Sequence, residues 1–269
     1  EYFISRKFDA EMEMAQPDVE KLFINFVSSP VIKDIGKLIE KRLDRKLRPF
    51  DIWYNGFTSR AGLNEAELDK TTQKLYPDNV AFKKALPGIL KKLGFDAEKA
   101  EYISTYIDVD PAVGSGHAWG SAMRNDVSHL RTRIAPTGMN YKGYNIAVHE
   151  FGHNVEQTIS IHFVDNYMLH GVPNTAFTEA LAFIFQSRDL QLLDMKNNDP
   201  LAHEYENLEI AWSLYEIMGV SLVDMNVWKW MYENPDATPK ELKEQVIVIA
   251  KDVWNKYYAP VFGIKDQTI

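Results

Sequence analysis

Val148-His149-Glu150-Phe151-Gly152-His153-Asn154-Val155-Glu156 decides how the rest of this chain is read. It contains His-Glu-x-x-His, and two histidines four residues apart on a helix lie one above the other on one face. Their imidazoles therefore converge on a single point, where a metal ion can sit. Zinc accepts imidazole nitrogen at about 2.0–2.1 Å, and a catalytic site uses three protein ligands and keeps a fourth position for water. Glu150 follows the first histidine, off the ligand line but on the same side of the helix, where its carboxylate is placed to take a proton from that water. The competing reading is a buried amphipathic helix that carries two histidines and a surface glutamate.

A third ligand has to come from a later element, and Asn174-Thr175-Ala176-Phe177-Thr178-Glu179-Ala180-Leu181-Ala182-Phe183-Ile184-Phe185 offers one. Glu179 is the lone carboxylate of an otherwise apolar helix, and burying it among Phe177, Leu181, Ala182 and Phe183 is costly unless a metal or another partner meets it. Glu156 shares the helix of the two histidines and is too short to curl back around the same ion. His162, His170 and His203 read as structural residues or as neighbours of the ligands, and Asp165 as a partner that orients a ligand imidazole. The metal helix should span Asn140–Ser160. Gly143 and Gly152 within it cost roughly 1 kcal/mol each in helix propensity, so each marks a place where a neighbouring element or a substrate backbone comes close.

The chain around this motif is ordinary in composition. With 269 residues, 45% of them hydrophobic, it can bury a sizeable core as one large domain or two modest ones. A net charge of −8 disfavours nucleic acid and anionic membranes as partners. No run approaches the roughly 18–20 apolar residues of a membrane span, no signal-peptide pattern is visible, and the compartment stays undecided. The chain has no cysteine, so a metal must be held by histidine and carboxylate. Beginning at Glu1 rather than methionine, it reads as a processed or excised part of something longer, with the C-terminal part of a longer protein as one form of that expectation.

Helix signals fill most of the length. Pro17 opens Asp18–Ser28, and Val31–Leu47 carries an apolar stripe of 3.6-residue period. Asn64 with Glu67 caps a helix toward Tyr76, and short helices follow over Asp78–Leu86, Pro87–Leu93 and Asp96–Ile107. Pro200–Met218 and Val220–Tyr232 follow the metal region, with Trp212, Tyr215 and Met225 as packing residues. Thr238-Pro239-Lys240-Glu241 starts a last helix that runs to about Tyr258. Between Asp108 and Pro136 glycines crowd a loop, and Val127–Ile134 alternates in the manner of a strand. Set just before the metal helix, that strand should be an edge able to pair with an extended peptide, or else half of a small hairpin that merely packs. The expected class is mainly α with one small β element.

His149-Glu150-Phe151-Gly152-His153 with Glu179, 26 positions after His153, resembles the gluzincin metallopeptidases and in particular the thimet oligopeptidase family, M3. Arg48-Pro49-Phe50-Asp51-Ile52-Trp53-Tyr54, the glycine-rich loop before the strand and Tyr257-Tyr258 are similar to that family as well. The resemblance implies a single zincin-like catalytic domain over residues 1–269, with an edge strand at about 127–135 beside the His-Glu-x-x-His helix. It implies one zinc ion on His149, His153 and Glu179, Glu150 as general base, and hydrolysis of peptide bonds in a peptide substrate. Tyr257 or Tyr258 would steady the oxyanion, and Asn125 or His129 would touch substrate. The chain departs from the family pattern at Asn154-Val155-Glu156-Gln157 and in Lys256-Tyr257-Tyr258-Ala259-Pro260. Gly120-Ser121-Ala122-Met123-Arg124-Asn125 resembles the strand motif of the M1 aminopeptidases, but Arg124 stands where those enzymes hold the substrate amine through a glutamate, and their third ligand would fall near Val172. A zinc-binding interaction module without turnover and a metal-free helical scaffold are the readings from other classes.

Overall fold

Capping and burial together place the elements in this computed structural model, which describes residues 2–57, 64–170, 174–195 and 199–268. In chain order the helices are α1 (Phe3–Lys7), α2 (Gln16–Val27), α3 (Pro30–Leu43), α4 (Glu65–Leu75), α5 (Asn79–Lys92) and α6 (Ala97–Thr105). They continue as α7 (Tyr141–Phe163), α8 (Thr175–Gln186), α9 (Asp189–Leu192), α10 (Ala202–Glu233), α11 (Pro239–Val253) and α12 (Ala259–Phe262). Three strands, β1 (Ile107–Ala112), β2 (His117–Trp119) and β3 (Ser128–Arg133), lie between α6 and α7. The protein is thus mainly helical with one small sheet. Among the described residues no helix is long and apolar enough to cross a membrane. The chain divides into two compact units, Gly62–Asn197 and the pair of segments Glu1–Ala61 and Asn198–Ile269.

In the unit Gly62–Asn197, α7 is the central helix. The Asn140 side chain caps it by accepting from the Gly143 N–H, and Ala147, Val148, Phe151 and Val155 bury one face in the core. The sheet has the order β1-β3-β2, with β3 parallel to β1 and antiparallel to β2. This corrects the expected edge strand at 127–135: the strand exists as β3, but it is central, and β2 is an edge. The reason is length and pattern, because three residues of β2 are too few to alternate, and β1 falls almost wholly in the stretch after Asp108 that reads as a loop. Ser128, Leu130 and Thr132 are buried, whereas His129, Arg131 and Arg133 alternate with them on the other face.

Both glycines of α7 sit at close approaches. A Cβ on Gly143 would lie 2.5 Å from the Arg133 carbonyl oxygen at the end of β3, and one on Gly152 would lie 2.7 Å from the Cα of Ala182 on α8. The neighbour that Gly152 admits is therefore a protein helix, the one that carries Glu179. Pro87 does not end α5 as its sequence suggests. Burial of Phe82, Leu86, Ile89 and Leu90 holds the helix together against a proline cost of about 3 kcal/mol.

The unit formed by Glu1–Ala61 and Asn198–Ile269 is built from α1–α3 and α10–α12. Ile32, Ile35 and Ile39 of α3 share a core with Trp212, Tyr215, Trp254, Tyr258 and Phe262. Two helices were expected to meet near Gly219, yet α10 runs through it unbroken. Gly219 is instead where the Tyr258 ring lies against the helix; the Tyr258 hydroxyl donates to the Tyr215 carbonyl at 2.5 Å, and the two rings stack at 4.5 Å. The segment Pro49–Trp53 is a tight turn organised by Asp51. Its carboxylate accepts two hydrogen bonds from the Arg45 guanidinium, at 2.6 and 2.8 Å, and one from the Arg48 N–H.

Candidate metal centre

The spacing of His149 and His153 on α7 puts both rings on one side of the helix, where they meet edge to face at 4.9 Å between centroids. The α7–α8 crossing at Gly152 then presents Glu179 to them. His149 Nε2 lies 3.4 Å from one carboxylate oxygen of Glu179, and His153 Nε2 lies 3.4 Å from the other. Ligands about 2.1 Å from an ion at tetrahedral angles stand roughly 3.4 Å apart, so each imidazole nitrogen stands at ligand spacing from a Glu179 carboxylate oxygen. The three residues form a group able to hold a metal ion, with one donor atom from each inside a span of 4.8 Å. Burial lowers the pKa of His153, which keeps its imidazole neutral and its lone pair free for a metal.

Glu179 reaches this place for a reason different from the one its sequence suggests. Its side chain is 45% exposed, and Phe177 and Phe183 of the same helix are 69% and 59% exposed. The apolar run of α8 therefore does not bury the carboxylate. What positions Glu179 is the glycine contact with α7, and the Phe183 ring stands edge-on to His149 at 4.9 Å.

Glu150 is half-buried on the sheet side of the same helix. Burial raises its carboxyl above the usual glutamate value, and His149 and His117 pull the other way. The Ala118 N–H of β2 also acts on the carboxylate and lowers its pKa slightly. A Cβ on Gly116 would lie 3.2 Å from the Glu150 Cγ and 3.1 Å from the Arg131 carbonyl, so the chain entering β2 passes directly over this side chain. One helix and one strand thus hold the Glu150 carboxylate near the three residues able to hold a metal ion.

Behind the histidines lies a chain of hydrogen bonds that no motif announces. His149 Nδ1 is 3.1 Å from Gln186 Oε1, Gln186 Nε2 donates to Asn145 Oδ1 at 2.7 Å, and Asn145 Nδ2 donates to Asp189 Oδ2 at 2.6 Å. The Tyr141 hydroxyl and the Leu190 N–H also donate to the Asp189 carboxylate, at 2.5 and 2.6 Å. An acceptor at Gln186 places the proton of His149 on Nδ1 and leaves Nε2 to face the site. Helical spacing was the available signal. Asn145 precedes His149 by four residues and Gln186 follows Glu179 by seven, so each lies on the face of its ligand.

The remaining candidates fall elsewhere. His129 sits on the sheet face opposite the buried Leu130, with Nδ1 2.9 Å from Asp110 Oδ2, and Asn125 is exposed in the loop before β3. Tyr257 and Tyr258 belong to the other unit and are buried in its core, the Tyr258 hydroxyl on the Tyr215 carbonyl. Asp165 is exposed, and Gln186 rather than Asp165 meets a ligand imidazole. His162 contacts the Tyr102 hydroxyl, His170 the Val164 carbonyl, and His203 is on the surface near Glu206. Arg124 donates to the Ile161 carbonyl, and Val172 lies outside the described residues. No known protein family, curated protein or solved structure matches this chain.

Proposed function

We propose that this chain is a zinc-dependent peptidase whose ion is held by His149, His153 and Glu179, with Glu150 as general base. The observation that carries the reading is a pair of histidine nitrogens each 3.4 Å from a Glu179 carboxylate oxygen, with the half-buried Glu150 carboxylate on the same helix as both histidines. Two imidazoles and a carboxylate, with no thiolate in the sequence, are a donor set that suits zinc. Zinc bound there supplies Lewis acidity to a scissile carbonyl and makes water acidic enough to be deprotonated near neutral pH.

The protein's own groups do the rest. Glu150, raised by burial toward the working pH, accepts the proton of the attacking water and returns it to the leaving amine. The chain through Gln186, Asn145 and Asp189 fixes the tautomer and ring plane of His149. The edge strand beside the site is β2, and it takes over from β3 the role of pairing with an extended peptide.

Protein purified without chelator should hold one zinc per chain, and Glu150→Gln should keep that zinc while losing cleavage of a mixed peptide pool. Cleavage by the variant at the wild-type rate would remove Glu150 as the base. Failure of the wild-type protein to take up zinc on titration would end the peptidase reading.

A further inference from the structure

Beyond His153, α7 continues along a cavity of about 550 Å³. Its wall includes Glu156 and Gln157 of the helix, Gly120 just after β2, and Tyr167, Met168 and His170 beyond α7. Two elements of the metal centre thus extend into it. Glu156 lies three residues after His153, about 4.5 Å further along the helix axis and roughly 60° around it. Gly120 follows the strand whose Ala118 N–H acts on Glu150. A residue near the scissile bond of a bound peptide would have this cavity within reach of its side chain.

Among the described residues, no hydrogen bond or ion pair joins the Glu156 carboxylate to another side chain. His170 has Nε2 on the Val164 carbonyl at 2.8 Å, Gln157 accepts from Asn154, and Arg124 donates to the Ile161 carbonyl. We infer that this cavity receives the lysine or arginine side chain of a peptide substrate and pairs it with Glu156, an inference that rests on the peptidase reading above. Burial raises the Glu156 carboxyl, and among the described residues no basic group pairs with it. A half-buried carboxylate penalises an apolar occupant and is relieved by a cationic one. The net charge of −8 favours the approach of basic peptides as well.

The test is to map by mass spectrometry where the zinc-loaded protein cleaves a diverse peptide pool. Matched peptides with lysine or norleucine at the selected position then give the ratio of kcat/KM. Lysine or arginine should be enriched at one fixed distance from the cleaved bond, with a lysine preference on the order of tenfold, the scale of a half-buried charge pair. Glu156→Gln should bring that ratio close to one, and Glu156→Lys should make a third matched peptide, with glutamate at that position, cleaved faster than the lysine one, an outcome that misfolding cannot produce. Cleavage without basic enrichment, or enrichment that survives Glu156→Gln, overturns the inference and leaves the peptidase reading standing. Cleavage of no peptide at all overturns both.

Discussion

The two units bury similar aliphatic and aromatic side chains but treat polar ones differently. In Glu1–Ala61 with Asn198–Ile269, Asp51 is the one buried polar residue among those described, and it is held by Arg45 and the Arg48 N–H within a single turn. In Gly62–Asn197 the buried polar set includes Thr132, Asn145, Asn154, Thr158 and Asp189, most of it on or against α7. Each buried polar group costs stability unless hydrogen-bonded, and these are hydrogen-bonded to one another or to the backbone. The first unit is an apolar core with one polar clasp. The second is a core threaded by a network that ends on His149, one of the three residues able to hold a metal ion.

The largest effect expected of that difference is on catalysis. Glu150→Gln should lower peptide cleavage by about 10²–10⁴-fold, the span of a lost general base, with zinc content retained. Asp189→Ala comes next, because it removes the acceptor of Asn145, Tyr141 and the Leu190 N–H and should cost about 3–5 kcal/mol in an unfolding titration. Its zinc affinity should also fall about 10–100-fold, as for other partners of ligand residues. A loss of stability with unchanged zinc affinity would reduce the network to a purely structural device and break the comparison.

Gly152→Ala should cost about 1–3 kcal/mol, since its Cβ must push the backbone of α8 at Ala182. Because α8 carries Glu179, zinc affinity should fall with it; a stable variant that binds zinc as before would show that the crossing has slack. The smallest effect belongs to the other unit. Asp51→Asn should cost about 1–2 kcal/mol at neutral pH and leave zinc binding alone. Burial by itself would raise the Asp51 carboxyl, but hydrogen bonds from Arg45 and Arg48 outweigh it and hold the group below the usual range. Its contribution is therefore present above the unfolded value near 3.9 and lost as pH falls through the lower folded one, so wild type and variant should converge in stability only in strong acid.

Much of the architecture was legible in local signals. Side-chain caps at Asn64, Asn140, Asn174 and Thr238 open helices where the sequence indicated, since a cap involves residues only two or three apart. Breaks inferred at Pro87 and Gly219 do not occur. The penalty for each is a few kcal/mol at most, and burial of a whole helix face or the fit of the Tyr258 ring exceeds it. The sheet was legible only at β3, and its order required strands too short or too irregular to display a period.

His149 and His153 must share one helix face whatever the tertiary structure, because the α-helical repeat leaves residues four apart no other arrangement, and Glu150 follows one residue on, off their line. The absence of cysteine determined which donors a metal there can have. Only the tertiary structure decided that Glu179 meets both rings, that Gln186 rather than Asp165 orients His149, and that β2 is an edge beside Glu150. Those contacts depend on how closely α7 can approach α8 and the sheet. That distance is set by glycine at 152 and 116 and by the packing around them, which no local period encodes.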